Sequence, residues 1–227
     1  MERPRRIALY GGTFDPVHVG HIRVAHDLSK LFALDEVLLI PAHVAPHKRV
    51  TKVTPALHRY AMLALATQQE AALRVSTVEL DAPEKPYTVE TLSRMQESLG
   101  RDARLFFVMG ADSWMEITTW REWERLLGLT HQIVVTRPGY ELSTAHVTPA
   151  IRQRIIDLRD ADSRETGAHM VEEGEAARIY VTDAVNLDVS ATEIRRAVRE
   201  GRDAGWTRLV PPPVADYIKK YRLYRDV

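Results

Sequence analysis

Cysteine is absent from all 227 residues. That removes disulfide frameworks and thiolate metal sites, although it does not by itself fix a compartment. An excess of charge is also missing, because Lys and Arg total 31 and Asp and Glu total 31. No overall cationic field exists of the kind that non-specific binding to nucleic acid or to a membrane surface requires, so neither partner is expected. Long hydrophobic runs are lacking as well. The start, "MERPRRIALYGG", carries basic residues but only four apolar residues in a row, too few for a signal-peptide core, and no later run approaches membrane-spanning length. A cytoplasmic protein is the expectation. There is no internal repeat and no low-complexity tract. What remains is 45% hydrophobic and 27% charged, a globular balance, and the length suits one domain over 1–227.

Short apolar runs bounded by glycine or proline alternate with stretches of helical period. The runs are "IALY", "EVLLI", "LRVSTVEL", "RLFFVMG", "QIVVT" and "RIYVT". Between them, Ile22, Ala25, Leu28 and Phe32 share a helical face. "TPALHRYAMLALA" places Thr54 as N-cap and Pro55 at the first helical position. Val89, Leu92, Met95 and Leu99 form one stripe that stops at Gly100. Strand and helix in turn predict an α/β fold, a Rossmann-like open parallel sheet with helices on both faces, since parallel neighbours need a crossover helix. From about 141 to 177 the chain is charged and aperiodic apart from "AIRQRIIDL", which reads as a variable insertion or as a helix with a loop. The end has a proline stop and then a short amphipathic helix, expected to pack on the body.

The chemistry concentrates in "GGTFDPVHVGH", directly after the first strand. Ligands of open parallel sheets bind beyond the carboxyl ends of the strands. Gly11 and Gly12 let a ligand approach the backbone, and the following helix start offers unpaired amides and a partial positive charge, which makes an anion pocket. His18 and His21 point the same way from that helix start and suit a phosphate gaining charge in a transition state. The plain alternative is that they are capping or core histidines. A metal site in which His43 and His47 join them is a further alternative, but zinc needs a converging tetrahedral set that nothing in the sequence requires, and no protein-held metal is expected. The string is neither a dinucleotide fingerprint nor a P-loop.

The pattern S/T-F-D-P-x-H-x-G-H resembles the signature of the nucleotidyltransferase superfamily. That resemblance implies the nucleotidyltransferase fold and a reaction in which the histidines stabilise an α-phosphate while an acceptor phosphate attacks in line. It also implies ATP contacts from Gly11, Gly12, Thr13 and Phe14. Far downstream, "LDVSATEIRRAVREG" has Ser190 and Glu193 in the spacing of a capping box and Gly201 closing the helix. It resembles the superfamily's I/V-S-S/T-T-x-I/L-R element, whose helix start and arginine hold the β- and γ-phosphates of ATP. Val189, Ser190, Thr192 and Arg195 match, while Ala191 stands where relatives often have a second hydroxyl. Magnesium carried mainly on ATP oxygens is the implied cofactor.

"PAHVAPHK", "KPYTVETL", "VMGADSWMEITTW" and "VVTRPGY", in that order and spacing, are similar to the bacterial nicotinate-nucleotide adenylyltransferases. The resemblance implies ATP and nicotinate mononucleotide as substrates. It implies that His47 and Lys48 lie near the mononucleotide, that Thr88 recognises the nicotinate carboxylate and that Trp120 stacks on the pyridine ring. Asp112 would contact a ribose, and Arg137 is the loop arginine. Trp123 is read as the core residue that positions this loop. Ordinary packing for the tryptophans and plain surface for Lys48 are the alternatives. Within the superfamily the rivals are an enzyme for nicotinamide mononucleotide or pantetheine phosphate; outside catalysis, an ATP-binding sensor. The sequence leaves a homo-oligomer open.

Overall fold

A computed structural model describes residues 3–43, 53–82, 84, 86–100, 102–137, 139–159, 176–183 and 189–225, with 203 and 204 described by backbone alone. The strands are β1 (Arg5–Gly12), β2 (Glu36–Pro41), β3 (Leu73–Val75), β4 (Ala103–Gly110), β5 (His131–Val135), β6 (Ile155–Asp157) and β7 (Ile179–Thr182). They form one sheet in the order β3-β2-β1-β4-β5-β7-β6, and every neighbouring pair is parallel. Helices α1 (Val19–Leu31), α2 (Ala56–Thr67), α3 (Thr88–Leu99), α4 (Ala111–Met115), α5 (Trp123–Leu129) and α6 (Pro149–Arg152) lie between them, and helices Ala191–Arg199, Asp203–Trp206 and Pro212–Lys220 follow.

Alternation along β1 explains how both faces are covered. Ala8 faces one apolar layer with Leu28 of α1, Met62 and Leu63 of α2 and Val214 and Ile218 of the Pro212–Lys220 helix. Ile7 and Leu9 face the other, with Val89, Leu92 and Met95 of α3 and Leu126 and Leu127 of α5. Successive side chains of a strand point to opposite faces, so a strand buried on both sides must be apolar throughout. The chain runs outward from β1 to β2 and β3, then returns to place β4 on the other side of β1. That reversal opens a crevice at the carboxyl ends of β1 and β4.

Several expectations about local structure are corrected. "LRVSTVEL" is a strand only over Leu73–Val75; Thr77 and Asp81 then close a turn, with their side chains 2.6 Å apart and the Asp81 amide donating to the Thr77 carbonyl. "AIRQRIIDL" is a one-turn helix followed by β6, whose apolar pair Ile155 and Ile156 completes the sheet edge beside β7. Helix α2 begins at Ala56 with Pro55 as its N-cap, because the backbone of Thr54 bonds to Asp15 and Arg59 instead. Ser190 is the N-cap of its helix but makes no side-chain cap bond, and Glu193 turns outward to within 3.9 Å of Arg196. Gly100 and Gly201 do end their helices with φ of 70° and 68°, the left-handed region that only glycine enters without strain. Among the described residues no helix is long and apolar enough to cross a membrane.

Candidate active site

The loop after β1 is shaped by close backbone approaches. A methyl on Gly12 would lie 2.9 Å from the Phe14 ring, which is itself buried, with the backbone of Phe14 at φ 48°. That ring packs edge-on against Tyr10 and His21, so Phe14 supports the loop from beneath. His18 is the N-cap of α1 and His21 its third helical residue; the His18 amide donates to His21 Nδ1 at 3.2 Å, and the two imidazoles stack with centroids 3.6 Å apart. Because Nδ1 accepts, Nε2 carries the proton of the neutral His21 ring. The first turn of α1 holds no acid, so its positive end is left for an anion.

Gly20, between the two histidines, was not singled out by sequence reasoning. A methyl there would stand 3.0 Å from His18 Nδ1 and 3.1 Å from its Cε1. In Gly20→Ala the imidazole must shift, and turnover is expected to fall roughly ten- to hundredfold, the penalty of misplacing a reacting group by about an ångström. The melting temperature should stay nearly constant, because alanine returns about 0.5–1 kcal/mol of helix propensity against the crowding. Steady-state assays beside thermal melts separate the two effects; full activity in the variant would show that the close approach has no functional part.

Burial pushes the His18 imidazole down to about 4, and burial together with Arg104, Arg154, Arg178 and Arg6 does the same for His131 at the start of β5. The unfolded chain therefore binds more protons than the folded one between pH 6.5 and 4. Stability is complete above pH 6.5 and declines as pH falls toward 4, by up to roughly 3 kcal/mol for each of the two histidines. His131 Nδ1 accepts the Arg178 amide at 3.1 Å, and an asparagine oxygen can take over that role. Melting curves of His131→Asn across this range should be flatter by about half; an unchanged slope would remove His131 from the account.

The far element meets this loop. Arg195 donates through Nη1 to the Asp15 carbonyl at 2.6 Å and through Nη2 to Thr192 Oγ1 at 3.2 Å. Val189 lies beside Gly20, 3.6 Å from where a methyl would be. The helices that begin after His18 and Ser190 thus bring their amino ends to one place. Beneath them, Arg59 is only 1% exposed and donates to the carbonyls of Thr13 (2.8 Å), Ala42 (2.7 Å), Thr54 (3.0 Å) and His43 (3.4 Å). Sequence reasoning passed over Arg59 and Asp15, although one signal was present: Arg59 falls on the buried stripe of α2 with Met62 and Leu63.

A cleft of about 570 Å³ opens at the carboxyl ends of β1, β2 and β4. Gly11, Gly12, Thr13, Thr88 and Trp120 line it together, as does Phe107, whose ring meets Trp120 edge-on at 6.4 Å. Thr88 opens α3, and Glu90 caps that helix by accepting the Tyr87 amide at 3.0 Å. Tyr87 and Arg121 close the mouth, with the guanidinium 4.6 Å from the ring centroid. Glu79 also lines the cleft and was missed; burial raises its carboxyl, partly offset by the Thr91 hydroxyl at 3.0 Å and the His43 amide at 3.3 Å. Asp112 and Arg137 follow the ends of β4 and β5 and are exposed, and neither lines the cleft. Trp114, not Trp123, is the fully buried tryptophan here, donating to the Ser143 carbonyl. His47 and Lys48 lie outside the described residues. A second groove of about 670 Å³, between α1, the end of α2 and Pro211 to Pro213, holds none of the predicted site residues.

The profile of the cytidylyltransferase-like family matches residues 9–197. A protein from Desulfatibacillum aliphaticivorans named "Probable nicotinate-nucleotide adenylyltransferase" is 38% identical over 221 residues, covering 96% of this chain and 99% of that protein. One of the same name from Thermoanaerobacter sp. is 36% identical over 225 residues, covering 99% and 97%. Among solved structures, nicotinic acid mononucleotide adenylyltransferase of Plasmodium falciparum complexed with NaAD shares the fold, with a TM-score of 0.70 at 20% identity over 97% of both chains.

Proposed function

This chain belongs to the cytidylyltransferase-like family and, within it, to the nicotinate-nucleotide adenylyltransferases, and from that premise we propose which of its residues carry AMP from ATP to nicotinate mononucleotide. The reaction forms a bond between the acceptor phosphate and the α-phosphate of ATP, releases pyrophosphate, and gives nicotinic acid adenine dinucleotide for NAD biosynthesis. One observation carries the assignment of residues: the 2.6 Å bond from Arg195 to the Asp15 carbonyl, which joins the two phosphate-binding elements beside the crevice.

The attacking phosphate is already ionised, so no side chain need act as base. His18 and His21 serve as donors to the α-phosphate and stabilise the charge that builds there. Arg195, steadied by Thr192, holds the departing pyrophosphate with Ser190 and the free amides of its helix. Gly11, Gly12 and Thr13 let the triphosphate lie against the backbone, and Phe14 keeps that loop in shape. On the other side of the crevice, the hydroxyl and amide of Thr88 meet the nicotinate carboxylate at the positive end of α3. Trp120 offers an indole face to the electron-poor ring. Asp112 and Arg137, outside the cleft lining, are assigned to the mononucleotide together with His47 and Lys48 on their motifs alone. A divalent ion enters with ATP, and we assign magnesium; the donors around the phosphates are amides, imidazoles and a guanidinium, which suits an ion that keeps its ligands on ATP and water. Residues 1–227 act as one domain, in the cytoplasm where these nucleotides are found.

The test offers ATP and magnesium with nicotinate mononucleotide, nicotinamide mononucleotide or phosphopantetheine in separate reactions and follows pyrophosphate. Release chiefly with nicotinate mononucleotide is expected. Preference for either other acceptor would reassign the pocket, and release with none would leave an ATP-binding sensor.

A further inference from the structure

Asp15 is the residue of the loop after β1 whose partners come from three segments, two of them near the far end of the chain. It is buried. Its Oδ1 accepts the Tyr224 hydroxyl at 2.8 Å, its Oδ2 accepts the Thr54 amide at 3.2 Å, and its carbonyl accepts Arg195 at 2.6 Å. Tyr224 stands in the last described turn, after the Pro212–Lys220 helix, and its ring packs against the apolar layer that also holds Phe14 and Val17. We propose that Tyr224 is a positioning residue of the adenylyl-transfer site: by gripping the Asp15 carboxylate it sets the orientation of the Asp15 peptide, and that carbonyl in turn holds Arg195 where the β- and γ-phosphates of ATP arrive.

Three features support a mechanical link rather than simple packing. First, the two halves of Asp15 are occupied at once, so rotating the peptide to satisfy one partner displaces the other. Second, the neighbouring Thr13 carbonyl is pinned by Arg59, which is anchored at the same time to the Thr54 carbonyl, so the loop cannot drift as a unit. The remaining freedom is the tilt of the Asp15 peptide, and Tyr224 removes it. Third, burial and the adjacent Asp15 charge push the tyrosine hydroxyl well above its ordinary range, so it is a protonated donor at neutral pH. A carboxylate that loses a buried donor seeks another, and Arg195 is already bonded to the carbonyl of the same residue. Without the hydroxyl, the guanidinium that should meet ATP is drawn toward Asp15.

The inference rests on the adenylyltransferase reading, and a double-mutant cycle tests it separately. Tyr224→Phe, Arg195→Ala and the pair are compared with the natural chain in turnover with ATP and nicotinate mononucleotide, and in binding of a non-hydrolysable ATP analogue by calorimetry. Phenylalanine keeps the ring packing, so the single variant folds, and melts confirm it. In the natural background Tyr224→Phe should lower kcat/KM for ATP and weaken analogue binding by about tenfold, with KM for nicotinate mononucleotide changed less than twofold. In the Arg195→Ala background it should change neither. An equal loss in both backgrounds marks a structural role only, and no loss in the natural one removes the link; either result overturns the proposal. No turnover by the natural chain, with the binding cycle still non-additive, would instead fault the reaction and spare the coupling.

Discussion

In His18→Ala, turnover is expected to drop by about a hundredfold or more, with KM for both substrates little changed. The scale is that seen when one preorganised donor is taken from a developing oxyanion, roughly 2.7–4 kcal/mol of the barrier. The geometry explains why so much rests on one ring. His18 is held by stacking on His21 and by the surface of Gly20, and it is only 7% exposed, so solvent cannot easily replace it. Its low pKa means that at neutral pH the free protein presents an uncharged donor, which becomes a better one as negative charge grows on the phosphate opposite. An imidazolium present beforehand would bind the ground state as well and gain less for the chemical step. The variant carries its own control, because it should also lose part of the acid-side decline in stability. Pyrophosphate release measured beside melts at pH 7 and pH 5 reads both. A folded variant with near-native turnover would take His18 out of the mechanism.

Arg59→Met should be the most damaging substitution for the fold, lowering stability by roughly 3–5 kcal/mol, the scale of breaking a buried charged network from one side. The guanidinium bonds to carbonyls from three separate segments: the loop after β1, the loop after β2 and the start of α2. Methionine fills the space but donates nothing, and each carbonyl left buried without a partner costs about 1–3 kcal/mol. For a chain of this size each kcal/mol moves the melting temperature by roughly 2–4 °C, so a fall on the order of 10 °C is anticipated. Arg59→Lys should recover little of it, since a point cation cannot fork between carbonyls as a planar guanidinium does. Urea unfolding gives the free energy directly, and a change under 1 kcal/mol would mean that water takes over these carbonyls without penalty.

Arg59 also marks the boundary of what the sequence discloses. Its place on the apolar stripe of α2 is visible in the spacing, but its partners lie 5 to 46 residues away and are backbone atoms, which leave no trace in side-chain pattern. The β1 loop and the Ser190 to Arg195 element could be singled out because their pattern is local: two histidines on one helix start, a hydroxyl three residues from an arginine. That they meet is shown by a contact spanning 180 residues, and no periodicity encodes that. The parallel sheet followed from the alternation of strands and helices, whereas β6 did not, because a three-residue edge strand after a helical turn reads as more helix. Thr88 and Trp120, assigned to the nicotinate carboxylate and its ring by their motifs, both line the cleft. Glu79 was missed, lying in a stretch that reads as strand and is in fact a turn.

The placement of β1 in the middle of the sheet has a consequence for the newborn chain. Its pairing with β2 is available early in translation, but its other edge must wait for β4, whose Leu105 sits opposite Ile7. At about 5–20 residues per second, that edge stays unclaimed for several seconds on the ribosome. An open apolar strand invites pairing with a stranger, and the histidine-bearing loop after β1 emerges attached to it. Chaperone contact during that interval would cover that open edge until β4 arrives.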